Sequence, residues 1–160
     1  MRKIIVFLLL ISSVILFISF TGDYSAISQS ENNSLNDSLK KDRAKYIAII
    51  KDRIKGKEAI QVDSVFENLK VLGGFPAENL LFAMEAWSIG LGVSCGHCHN
   101  TTNFASDEKS KKEISREMVK MGNMISQQIR TINGLSKRPI VNCITCHRGS
   151  LKPAYKMPED

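Results

Sequence analysis

All four cysteines of this 160-residue chain stand in two copies of one spacing, Cys95-Gly96-His97-Cys98-His99 and Cys143-Ile144-Thr145-Cys146-His147. Each C-x-x-C pair is followed at once by histidine, and two of the three histidines in the chain occupy those slots. Two thiols three positions apart on one helical turn can reach the two vinyl groups of one porphyrin and form thioethers. The adjacent imidazole then lies beneath the ring and binds its iron. The expectation is two covalently bound haem c groups, attached through Cys95 and Cys98 and through Cys143 and Cys146, with His99 and His147 on the irons. A zinc site, a pair of redox-active dithiols and a disulfide framework are the competing readings. None of them calls for a histidine directly after both pairs.

The N-terminus has the layout of an export signal. Arg2 and Lys3 precede Ile4 to Phe20, which is apolar apart from Ser12, Ser13 and Ser19, and Thr21 to Ala26 turns small and polar. Residues 1–26 therefore read as a secretory signal peptide. A retained N-terminal anchor is the second reading, because the apolar run approaches membrane-spanning length. In both cases the rest of the chain is expected outside the cytoplasm, in the periplasm. Residues 27–38, rich in Ser and Asn, are expected to be a flexible linker, and residues 39–160 a single domain. The net charge of +6 is moderate, and haem propionates would offset much of it. It does not make a nucleic-acid footprint.

Periodicity predicts an all-α domain of short helices packed around the two haems. Leu39 to Lys55 shows helical spacing at Tyr46, Ile47, Ile50 and Ile54, with Gly56 as C-cap. This basic amphipathic helix is expected to dock on its own domain, with a membrane surface as the alternative. A second helix is predicted over Val65–Leu72, with Ser64 and Glu67 as a capping box. A third should begin at Pro76 and break at Gly90 and Gly92, with Leu80, Met84, Trp87 and Leu91 as its apolar stripe. Ser106-Asp107-Glu108 should open a long helix closed by Asn133-Gly134. Its expected core stripe is Ile114, Met118, Met121, Ile125, Ile129 and Ile132. Lys109, Lys111 and Lys112 read as the wet face of that helix, or as a patch that steers an acidic partner. Arg148 reads equally as a propionate partner and as a solvated arginine.

A low-spin haem needs a second axial ligand. Met84, eleven residues before Cys95, stands on a helix that ends in a glycine-rich turn, so the chain can fold back and place it opposite His99. A core methionine is the equal alternative. For the second haem the candidates are Met118, Met121, Met124 and Met157, with Met121 placed first, or an open site. His97 reads as a solvent-facing residue of the first motif, with a reach to the other haem as the alternative.

Several segments together resemble one family. They are Val65-Phe66-Glu67-Asn68-Leu69-Lys70-Val71-Leu72, Met84, Leu91-Gly92-Val93-Ser94 with the first motif, Phe104-Ala105-Ser106-Asp107 and Thr145-Cys146-His147-Arg148-Gly149. In order and spacing this stretch, about residues 60–153, is similar to the cytochrome c subunit of photosynthetic reaction centres. The resemblance implies electron transfer. It also implies that the methionine on the helix before a haem motif, here Met84, is the sixth ligand. The family's full-length members carry four haems, and this chain has room for the C-terminal pair. The histidine that the last haem takes from the N-terminal half in that family has no counterpart here, and neither does the membrane-anchoring cysteine of many members. The expected function is a periplasmic carrier of single electrons between redox proteins, including a membrane-bound respiratory or photosynthetic complex. It is not expected to be an enzyme. A peroxidase or gas-binding protein using a five-coordinate second haem is the alternative, although no distal acid–base pair is evident.

Overall fold

The computed structural model describes residues 33–135, 139–153 and 155. The expected export signal, residues 27–32 of the linker and Met157 lie outside the described residues. The chain divides into two compact units, Met1–Ser38 and Leu39–Asp160. Of the first unit only residues 33–38 are described, and they are helical. In the second unit the helix α1 covers residues 39–53, within the expected Leu39–Lys55.

In the second unit, α2 covers Val62–Val65, α3 Ala77–Leu91, α4 Ser110–Ile129 and α5 Cys143–His147, with a single 3₁₀ turn at Cys95–His97. No strand forms among the described residues. The all-α expectation holds. One isolated bridge, Gln61 to Pro76, ties the start of α3 to the segment before α2. It is extended by Val62 N–H donating to Phe75 O at 2.9 Å and Ala77 N–H to Ile60 O at 2.8 Å. The small apolar core lies beside this joint. Ile54, Ala77 and Leu81 are buried, and Ile50, Val65 and Phe66 pack on them.

Four element expectations need correction. The predicted helix over Val65–Leu72 does not form. The helical turn sits earlier, at Val62–Val65, without the Ser64/Glu67 box, and Phe66 is already extended. A long-range bond decides this: Asn68 turns left-handed (φ 59) so that its side-chain amide donates to Ala105 O at 2.6 Å. Pro76 is the residue before α3 rather than its first, and Gly90 lies inside that helix instead of breaking it. Ser106, Asp107 and Glu108 precede α4, which begins at Ser110. At the other end α4 stops at Ile129, where Thr131 N–H to Gln128 O and Ile132 N–H to Ile129 O tighten the chain into turns.

The fourth correction concerns the face of α4. Its buried residues are Lys112, Arg116 and Ser126. The predicted core stripe points the other way, with Ile114 53% exposed and Met121 39%. Lys112 and Arg116 turn inward because they have anionic and carbonyl partners there, which satisfy buried charge.

Candidate functional site

The end of α3 positions the first motif. Met84, Trp87 and Leu91 share one side of the helix, and Gly92 caps it in the left-handed conformation (φ 63). That turn sends Val93 and Ser94 back along the helix end into the 3₁₀ turn of Cys95. Met84, Cys95, Cys98 and His99 line one cavity of about 440 Å³, together with Trp87, Leu91 and Phe104. The structure therefore brings together all four residues predicted for the first haem, although Met84 and Cys95 come from different elements. A volume of this order is typical of a cofactor site.

Cys95, Cys98 and His99 are each held by a specific contact. Cys95 N–H donates to Asp42 Oδ2 on α1 at 2.8 Å. Burial, and then the Asp42 carboxylate, push its thiol pKa up to about 11. Cys98 Sγ lies 3.5 Å from Ser115 Oγ on α4. His99 Nδ1 is 3.2 Å from Phe104 O. A carbonyl only accepts, so Nδ1 carries the proton and Nε2 keeps its lone pair, the tautomer an iron ligand requires. Burial lowers the pKa of His99, which favours the neutral, ligating form. The Phe104 ring packs 5.2 Å from the imidazole and 5.8 Å from Tyr46.

A cationic clasp holds the loop that orients His99. Lys112 Nζ donates to Phe104 O and Ala105 O at 3.0 Å and to Ser106 O at 2.9 Å. Asp107 receives Lys70 and Arg116 at 2.9 Å and Lys112 at 3.3 Å. Its carboxyl is held well below the usual range, first by the Arg116 guanidinium and then by Lys70. Lys109 donates to Gly96 O. The expected lysine run is thus not one wet face, because Lys109 and Lys112 are engaged inside the fold and Lys111 is exposed. Sequence reasoning missed Asp42, Arg116 and the inward role of Lys112. Asp42 and Cys95 are 53 residues apart and Arg116 and Asn68 are 48, while the carbonyls that Lys112 meets belong to the loop before α4, outside any helical spacing.

The second motif is a single α-helical turn. Asn142 caps it reciprocally with Thr145: Thr145 N–H donates to Asn142 Oδ1 at 3.3 Å, and Asn142 N–H to Thr145 Oγ1 at 3.2 Å. This capping box places Cys143 and Cys146 on one turn. Burial raises the pKa of the Cys143 thiol, whereas Cys146 is exposed. His147 repeats the pattern of His99, its Nδ1 donating to Ser150 O at 3.0 Å. Arg148 caps the turn left-handed (φ 51) and is exposed. Val141 N–H donates to Ser126 Oγ at 3.0 Å, which holds the start of this motif against α4. Met121 does not line the cavity of the first motif.

No disulfide joins any of the four cysteines, and among the described residues no three His, Cys, Asp or Glu side chains converge on a point for a bare ion. The donors are instead disposed as paired thiols beside one neutral imidazole with an apolar wall. This donor set fits a thioether-linked porphyrin. Among the described residues no helix is long and apolar enough to cross a membrane.

Comparison with known proteins points the same way. Cytochrome c-554 of Chloroflexus aurantiacus is 32% identical over 84 residues, covering 52% of this chain and 20% of that protein. The photosynthetic reaction center cytochrome c subunit of Rubrivivax gelatinosus is 33% identical over 96 residues, 58% of this chain and 25% of that protein. The corresponding subunit of Thermochromatium tepidum is 28% identical over 107 residues, 62% and 24%. The chain thus spans a quarter or less of the length of these relatives. Residues 21–158 match the family described as photosynthetic reaction centre cytochrome C subunit. With paired thiols, a correctly protonated histidine and a methionine around one apolar cavity, and with that match along most of its length, the chain belongs to the photosynthetic reaction centre cytochrome c subunit family, whose cofactor is covalently bound haem c.

Proposed function

We propose that this protein is an exported carrier of single electrons that holds two haem c groups. The observation that carries the reading is the meeting of Met84, Cys95, Cys98 and His99 on one cavity. Cys95 and Cys98 would anchor the first group, and His99 Nε2 and Met84 Sδ would bind its iron. Cys143 and Cys146 would anchor the second, with His147 as its histidine ligand and Met121 as its sixth. Haem held in this way would supply one-electron ferric/ferrous chemistry.

The uncovered apolar row of α4 supports a second porphyrin beside it. Met118, Met121 and Ile125 are each more than a third exposed. The segment leading into Cys143 runs along the flank of that row, its Val141 O 3.6 Å from where a Cβ on Gly122 would stand. A flat apolar group attached at α5 would cover that row and remove its contact with water. The relatives named as reaction centre subunits favour a membrane-bound redox complex as a partner, reached from the periplasmic side.

The test is the intact mass of the purified mature protein, together with its optical and EPR spectra. Two haem increments, two low-spin signals and a sulfur-to-iron band are expected. A mass without two macrocycles overturns the reading. A high-spin component that takes up carbon monoxide would replace it with a gas-binding or peroxidatic second haem.

A further inference from the structure

We propose that Gly90 and Gly92 are positioning residues for electron exchange between the two attachment motifs, an inference that rests on the two-haem reading above. The exchange moves one electron, oxidising one iron as the other is reduced, and breaks no bond. Its rate depends on how closely the two motifs are held, and the structure shows a direct backbone joint between them. Gly149 N–H, just past α5, donates to Gly90 O in α3 at 2.8 Å. A Cβ on Gly90 would stand 2.9 Å from Ile144 N and 3.0 Å from the Cys143 Cβ. A Cβ on Gly92 would stand 1.9 Å from Gly149 O.

Both glycines therefore sit where the end of the helix before the first motif meets the helix that carries the second. Glycine inside a helix is disfavoured for its lost entropy, and Gly90 is inside α3. A contact that only a missing side chain allows accounts for its presence. Any larger residue must push α5 away from α3, and Cys143 with it, because the obstructing atoms are mostly backbone and cannot swing aside.

The experiment compares the native holoprotein with Gly90→Ala and Gly56→Ala. Gly56 has φ 79 and nothing within 4 Å of an added Cβ, so its variant reports backbone strain alone. Intact mass comes first: fewer than two haems on the native protein sinks the two-haem reading itself, before any variant is compared. The readout is the Soret exciton couplet in circular dichroism, which depends on the separation and angle of two porphyrins rather than on the surroundings of either. Gly90→Ala is expected to weaken or invert the couplet while each haem keeps its absorption bands, and Gly56→Ala to leave the couplet native. Selective loss of the second haem in Gly90→Ala also supports the proposal, because Gly90 belongs to the helix preceding the first. A native couplet in fully loaded Gly90→Ala, or no couplet in the loaded native protein, overturns it. Should Gly90→Ala take up neither haem, hydrogen exchange on the native holoprotein decides. The Gly149 amide is expected to be as protected as the amides of α3, and exchange at loop rates overturns the proposal.

Discussion

Asp42 on α1 accepts a hydrogen bond from the backbone amide of Cys95 at 2.8 Å, across 53 residues of chain. The bond ties the first helix of the domain to the turn that presents the first sulfur. Its acceptor is charged and its surroundings are partly buried, so Asp42→Ala should destabilise the holoprotein by roughly 1–2 kcal/mol. Asp42→Asn keeps an acceptor and should cost less. Denaturant unfolding measures both, and equal losses for the two variants would show that the acceptor is not what matters.

Met84 lines the same cavity as a histidine whose tautomer suits iron. Met84→Ala is expected to remove the sulfur-to-iron band of the first haem and to lower its potential, since thioether ligation raises it. Met121→Ala should remove the corresponding band of the second haem, and Met118→Ala should not. A band that survives Met84→Ala would make that residue a core methionine only.

Lys112 is buried and donates to three successive carbonyls, Phe104, Ala105 and Ser106. Phe104 O is also the partner of His99 Nδ1. Lys112→Met keeps the apolar stem and leaves these carbonyls short of a donor, so we expect a loss of about 2 kcal/mol. Lys111→Met, one residue away and exposed, should change stability little. Parallel denaturant titrations of the two variants check the difference.

Asp107 joins Lys70, Lys112 and Arg116, and its folded pKa is depressed, chiefly by the Arg116 guanidinium. A depressed carboxyl contributes stability that is complete above its unfolded value, about 4. The contribution fades below that pH and is gone once the pH has passed down through the folded value. Asp107→Asn should therefore be less stable than the native protein at neutral pH and converge with it in acid. Glu113 is lowered in the same direction by Arg116, so the native protein keeps some acid sensitivity without Asp107. A constant stability gap from neutral pH to pH 2 would contradict this account.

Much of the site was legible along the chain because its chemistry is local. Two thiols and a histidine within five residues need only one turn of backbone to converge, and both motifs form such turns. Met84 was legible for a similar reason, since Gly92 signals a reversal between it and Cys95. The helix predicted over Val65–Leu72 shows the limit. Its spacing and capping residues favour a helix, but Asn68 bonds Ala105 and receives Arg116 at its carbonyl, at 2.6 and 3.1 Å. Those partners lie 37 and 48 residues away, and together they outweigh a weak local preference.

Residue order alone carried the two C-x-x-C-H spacings, the family resemblance and the helical class, because these depend on spacing within a few turns. Tertiary structure alone decided which face of α4 turns inward, which acid holds the amide of Cys95, and that the ends of α3 and α5 meet glycine to backbone. The reason is physical. An apolar period says that a helix has two faces, but only the positions of Asp107, of the carbonyls at 104–106 and of the second motif decide which face each neighbour covers.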